Sequence, residues 1–316
     1  MFSPAALSQQ TVQANTPTIY QTSNYGPVSY LQNNNMAPLI VLDFDGTITK
    51  QDTIDSLALA VIEHRGEHTP KTWDDIVDAW LDDHNRHVAT YVPSQADRTD
   101  PASELAFLES LKVVENASIA RVDESNIFKG ASAEELMKLG NEAVQKGVVK
   151  LRDGWKGFLG ELNGRGWETG LVSINWSKHW VRGCLGGEED WGRVEKWMTN
   201  EVEGEKGVLV GPGGVGGYEV MMTARDKLEA TRQLVEATEE KAWVYVGDST
   251  TDLACLLEAN MGIVMADDEQ SKLLRTLRRV GFEVQRAAEG PARLVWVKDF
   301  DELLSSGVLD RVQKLS

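Results

Sequence analysis

One short run constrains most of what this chain can become. Pro38–Asp43 reads PLIVLD, almost wholly apolar, and no residue before Asp43 carries a formal charge. Apolar residues in succession, without alternation, suit a strand covered on both faces, as in a parallel sheet sandwiched by helices. The next residues, Asp43-Phe44-Asp45-Gly46-Thr47, stop the run with turn chemistry. A doubly covered strand needs partner strands and two layers of helix, so the rest of the sequence is searched for them.

They come after an interruption. From Asp52 to about Lys150 the period is helical. Ile54, Leu57, Ala58, Val61 and Ile62 recur at i, i+3, i+4, i+7 and i+8, and Trp73, Ile76, Val77, Trp80 and Leu81 repeat that spacing. Asp100-Pro101 opens another helix, and Ser132 with Glu135 forms a capping box ahead of Leu136 and Leu139. Beyond Lys150 strands return: Thr169–Ile174, Ala242–Val246, Gly262–Met265 and Leu294–Val297, separated by helical patterns such as Ala224–Val235 and Asp252–Glu258. That alternation predicts an α/β fold, a Rossmann-like doubly wound parallel sheet, with an all-helical insertion. The expected divisions are a disordered tail over residues 1–37, a core of 38–50 plus 151–316, and a helical unit of 51–150. Met36 is a possible second translation start. The glycine-rich stretch Gly204–Gly217 follows no βαβ opening, so a hairpin or flexible excursion is expected there rather than a nucleotide cradle.

Composition limits the partners. With 32 Lys+Arg against 49 Asp+Glu the net charge is −17, which argues against a broad nucleic-acid-binding face. An anionic substrate then needs a local device: a metal, a single Lys or backbone N–H groups. No apolar run approaches the roughly 18 residues of a membrane helix, and no secretory pattern opens the chain. Two cysteines, Cys184 and Cys255, make no disulfide framework and fit a reducing, cytoplasmic setting.

Four features fall at carboxyl ends of expected strands or at a helix start: Asp43/Asp45, Ser173/Asn175, Lys227 and Asp248/Asp252. In open α/β sheets such ends meet at a topological switch, where ligands bind. Carboxylates crowded together require a cation or shifted pKa values. Without Cys or His nearby, a hard ion such as Mg²⁺ is favoured. Lys and Ser would add charge and donors for a phosphoryl group. One carboxylate could attack phosphorus, and a second, two residues along, could move the proton.

DFDGTIT at Asp43–Thr49, LVSIN at Leu171–Asn175, ARDKLEA around Lys227 and GDSTTD at Gly247–Asp252 together resemble, in order, the four motifs of the haloacid dehalogenase-like (HAD) phosphohydrolases. The resemblance implies Asp43 as nucleophile and Asp45 as general acid/base. It implies Mg²⁺ on the Asp43 and Asp248 carboxylates and the Asp45 carbonyl, with Asp252 helping directly or through water. Ser173 and Lys227 would hold the phosphoryl group, with the backbone at Ile174 and the Asn175 amide. Family members lacking the second acid tend not to be phosphatases, so Asp45 favours phosphate-ester hydrolysis over dehalogenation. Residues 51–150 resemble the family's C1 cap, a lid that suits small soluble substrates. DFDGTIT followed by Asp52-Thr53 is similar to the phosphoserine-phosphatase-like branch, and GDSTTDLACLLEANMGIVM resembles the phosphatase module of thiamine monophosphate phosphatases. The implied substrate is a small phosphorylated metabolite such as thiamine monophosphate, with phosphoserine or a sugar or polyol phosphate as alternatives. A non-enzymatic phospho-acceptor module is the reading from another class. Oligomeric state is not legible.

Other residues have plainer readings. His64/His68 and His84/His87 lack a further ligand and read as solvated helix faces. Trp73, Trp80 and Trp180 read as core stripe, as does Trp176, although either Trp176 or Trp180 could stack on a substrate ring. Cys184 and Cys255 read as buried thiols. Arg225 competes with Lys227 if the helix register differs.

Overall fold

The computed structural model describes residues 37–66, 72–214, 216–237 and 242–314. The expected tail, apart from Ala37, lies outside them, as does His68. The described strands are β1 (Leu39–Leu42), β2 (Glu168–Ser173), β3 (Lys196–Thr199), β4 (Glu201–Glu203), β5 (Val208–Val210), β6 (Trp243–Gly247), β7 (Met261–Met265), β8 (Gln285–Arg286) and β9 (Leu294–Val297). Seven form one sheet in the order β3-β2-β1-β6-β7-β9-β8, and every pairing in it is parallel.

β1 explains the architecture. All four of its residues are buried. Ile40 and Leu42 face a core with Phe158 and Phe300, and Leu39 and Val41 face another with Leu228 and Leu253. Helices Trp155–Gly164 and Phe300–Ser305 therefore cover one side, and Ala224–Glu236 and Leu253–Glu258 the other. Each apolar side chain so buried contributes about 1.5–3 kcal/mol. The chain leaves β1 toward β2 on one flank and reaches β6 on the other, so the sheet reverses direction beside β1 and its carboxyl end becomes the switch point.

The interior strands match the apolar runs read from the sequence. The edges β3 and β8 were not read, because a strand paired on one side carries half-exposed residues such as Lys196 and Gln285. β4 and β5 form an antiparallel hairpin over the first part of the glycine-rich stretch.

Between Thr53 and Leu151 the described residues hold five helices and no strand: Ile54–Arg65, Trp73–Thr90, Pro101–Ser110, Lys112–Ser125 and Ala133–Gln145. The expected caps form. Asp100 accepts from Ser103 N with Pro101 at the first position, and Ser132 and Glu135 cap reciprocally. The two legs of the insertion are joined: Lys50 N donates to Lys150 O at 2.8 Å and Arg152 N to Ile48 O at 2.8 Å. The insertion is also fastened to the sheet layers elsewhere. Glu104, buried, bonds Arg98 at 2.7 Å and Arg279 of helix Lys272–Arg279 at 2.8 Å. Lys112 meets Asp226 at 2.9 Å, and Thr223 Oγ1 donates to Glu109 at 3.1 Å. Among the described residues no helix is long and apolar enough to cross a membrane.

Candidate active site

Strand register sets the site. Leu42 pairs with Val246 and with Leu171, so Asp43, Asp248 and Ser173 all emerge at the same end of the sheet. Lys227 arrives from helix Ala224–Glu236, whose first turn is fixed by a Thr223/Asp226 capping box. Its Nζ lies 2.8 Å from Asp43 Oδ1 and 2.5 Å from Asp252 Oδ1, with no solvent exposure. Arg225 instead pairs with Glu229 on the exposed face, so the lysine is the cation inside.

Asp43, Asp248 and Asp252 each bring a carboxylate oxygen within 4.8 Å of the others, and such a group can hold a metal ion. Its charge is uncompensated, since one ammonium faces three acids. Burial, with the charge of Asp252, pushes Asp43 well above the usual 3.8 despite Lys227. Burial and Asp252 likewise push Asp248 up to about 7. Burial alone would depress Lys227, but Asp252 and Asp43 outweigh it and raise its pKa above 10.5. A cluster that binds protons this readily in their place has the hard oxygen donors a small divalent cation needs. Within it Asp252 is the most committed. Its Oδ1 takes Tyr245 OH at 2.8 Å besides Lys227, and its Oδ2 takes Asp248 N, Ser249 N and Ser249 Oγ. Asp43 and Asp248 hold the freer oxygens.

Two glycines let the backbone come this close. Gly46 has φ +73°, and a Cβ there would lie 2.2 Å from Asp248 Oδ2. A Cβ on Gly247 would lie 2.4 Å from Asp252 Cγ. Thr47 Oγ1 completes the contact by donating to Asp248 Oδ1 at 3.0 Å.

Asp45 stands apart from the cluster. Its Oδ1 accepts Thr53 N at 2.9 Å and Thr53 Oγ1 at 2.6 Å, and its Oδ2 accepts Asn175 Nδ2 at 2.8 Å. Trp180 Nε1 donates to the same Thr53 hydroxyl at 3.1 Å. Burial and the charge of Asp52 push Asp45 up to about 7, against the pull of those donors. A carboxyl in that range can give or take a proton near neutrality. Its side chain is not among the three carboxylates that could hold a metal ion. Asn175 also has its N–H groups engaged: Nδ2 on Asp45, and the backbone N on Ser173 Oγ at 3.1 Å.

Sequence reading quoted Thr53 with the motif and read Trp180 as core or as a ring that could stack on substrate, but gave neither a role at Asp45, and it did not single out Tyr245. Thr53 follows the motif by a few residues and was detectable as an N-cap residue; the other two looked like ordinary core. Trp180 is fully buried, and half-buried Trp176 stands edge-on to Trp73 at 6.0 Å and to Phe128 at 6.2 Å. His64 is exposed and lies near Glu135, His84 stacks on Trp80, and His87 bonds Ser110. Both cysteines are buried and unpaired.

Several known proteins are similar to this chain. A CTO1 family protein of Schizosaccharomyces pombe is 27% identical over 243 residues, covering 73% of this chain and 83% of that protein. Cold tolerance protein 1 of Saccharomyces cerevisiae is 23% identical over 281 residues, covering 78% of this chain and 84% of that protein. Cytosolic 5′-nucleotidase IIIB, solved bound to cytidine, shares the fold with a TM-score of 0.51 at 16% identity, over 88% of this chain and 86% of that one. The model of the haloacid dehalogenase-like hydrolases matches residues 40–257. That span runs from β1 through helix Leu253–Glu258 and includes every acid described above together with Lys227, so the chain belongs to the haloacid dehalogenase-like hydrolase family.

Proposed function

We propose that this hydrolase is a Mg²⁺-dependent phosphomonoesterase working through an aspartyl phosphate on Asp43. The observation that carries the reading is the convergence of Asp43, Asp248, Asp252 and Lys227 from separate chain segments at the switch point, with Lys227 Nζ 2.8 Å from Asp43. Mg²⁺, held by the Asp43 and Asp248 carboxylates and the Asp45 carbonyl with Asp252 behind, would supply positive charge that offsets repulsion between carboxylate and phosphate. Lys227 and the Ser173 hydroxyl hold phosphoryl oxygens. An Asp43 oxygen attacks phosphorus as the ester P–O bond breaks, and Asp45 gives its proton to the departing oxygen. Asp45, now a carboxylate, takes a proton from water as that water attacks phosphorus, which frees Asp43 and inorganic phosphate. Asn175 and Thr53 keep Asp45 aimed throughout.

The proposed organisation is a core of 38–50 and 151–316 with 51–150 as a C1-type cap. The substrate we place first is thiamine monophosphate. The resemblance of the Gly247–Met265 segment supports it. Phosphoserine and sugar or polyol phosphates are the alternatives, and a cytoplasmic setting suits the two free thiols.

Asp43→Asn is expected to abolish phosphate release from an aryl phosphate while circular dichroism stays native, and Asp45→Asn to slow it about 10²–10⁴-fold. Hydrolysis by Asp43→Asn at the wild-type rate would remove the nucleophile. A single phosphorylation event without turnover would point to a phospho-acceptor module. Ranking a panel of esters by kcat/KM selects the substrate.

A further inference from the structure

The return leg of the insertion brings a buried cation to the back of the Asp43–Thr47 turn. Arg152 is 6% exposed. Its Nη2 and Nε donate to Gly46 O at 2.8 and 3.3 Å, and its Nη1 donates to Asp267 Oδ1 at 2.6 Å and to Lys298 O at 2.9 Å. One guanidinium therefore joins the turn after β1 to the segments after β7 and β9. The fork is suited to such a junction, because its planar donors reach separate acceptors at fixed angles where an ammonium offers a point charge.

The gripped carbonyl belongs to a residue pressed against Asp248. Gly46 packs so tightly there that it has no room for a Cβ, and Thr47, next in the chain, donates to the same carboxylate. Asp248 is thus placed from the β1 side by Gly46 and Thr47, and that turn is placed from behind by Arg152. The backbone of Arg152 adds to the anchorage through its N–H on Ile48 O at 2.8 Å.

We propose that Arg152 is a positioning residue for the cation site. By holding Gly46 it sets the separation between the Asp43–Thr47 turn and Asp248, and so the spacing of the oxygens that would receive a divalent ion. The inference rests on the reading of the acid cluster as a cation site, and its test does not depend on turnover.

Mg²⁺ binding is measured by calorimetry on the substrate-free full chain, wild type against Arg152→Lys, alongside kcat and KM. The expected result is a folded variant whose Mg²⁺ affinity falls about tenfold, with kcat reduced at saturating Mg²⁺ and KM within about threefold of wild type. Wild-type Mg²⁺ affinity in folded Arg152→Lys overturns the proposal, and so does a wild-type protein that takes up no Mg²⁺. If Arg152→Lys does not fold, Asp267→Ala decides the matter. Asp267 is largely exposed, and removing its carboxylate releases one bond from the same guanidinium. A weaker Mg²⁺ affinity in that variant supports the role, and an unchanged one overturns it. If the wild type binds Mg²⁺ but hydrolyses no ester, the phosphatase reading fails while the calorimetric comparison still decides for or against Arg152.

Discussion

Lys227 has no water to fall back on. Its ammonium lies between Asp43 and Asp252 with no exposed surface, so its removal leaves buried carboxylates facing one another. Lys227→Met is expected to destabilise the metal-free protein by about 3–5 kcal/mol at pH 7, and less at pH 5, where the raised carboxyls take up protons instead. Urea melts at the two pH values check this, and an equal cost at both would mean that the ammonium does not balance those acids. At this scale the sequence was generous for the acids and sparing for their supports. Asp43, Asp45, Asp248 and Asp252 could be found because polar turns abruptly end apolar runs. Trp180 and Arg152 could not be ranked, since each acquires its role from a partner more than 100 residues away. Asn175 was found as well, and its side chain also holds Asp45.

Elements differ in how firmly they hold the insertion. The Glu104 carboxylate sits buried between Arg98 and Arg279, while the Lys112–Asp226 pair is part-exposed, with 30% of the lysine side chain open to solvent. Stranding two guanidinium groups costs far more than losing a screened pair. Glu104→Gln is accordingly expected to lower stability by about 3–5 kcal/mol, and Lys112→Met by no more than about 1 kcal/mol. Denaturant melts of both variants test the contrast, and similar small losses would show that helix Pro101–Ser110 is only loosely joined to helix Lys272–Arg279. The helices themselves were legible because capping and 3.6-residue spacing are local signals. Their attachments were not, because Glu104 and Arg279 belong to different periods of the sequence. The sheet divides the same way: β1, β6, β7 and β9, each with two neighbours, are nearly continuous apolar runs, and the edge strands β3 and β8 carry no such signature.

For the molecule as a whole, the acid cluster ties stability to pH and to cations. A carboxyl whose folded pKa exceeds its unfolded value binds its proton more tightly when folded, so its contribution is complete below the unfolded value and is lost as pH rises through the folded one. Asp45 and Asp248, each raised from 3.8 to about 7, place that window between those values, and Asp43 shifts in the same direction. The metal-free protein is expected to lose stability from about pH 4 to pH 7 through these groups. On the proposed reading Mg²⁺ would replace the departing protons, so the difference in Tm between Mg²⁺ and EDTA should widen from pH 5.5 to pH 7.5. A difference that stays constant or narrows would argue against the cluster as a cation site. One last consequence follows from the hydrogen bond between Lys50 and Lys150. A long detour that returns to its own point of departure can be lengthened, shortened or exchanged without sliding β1 past β2. On the proposed reading of residues 51–150 as a cap, exchanging the excursion would change which ester is accepted and leave the strands in place, provided the junctions at Glu104 and Lys112 are rebuilt.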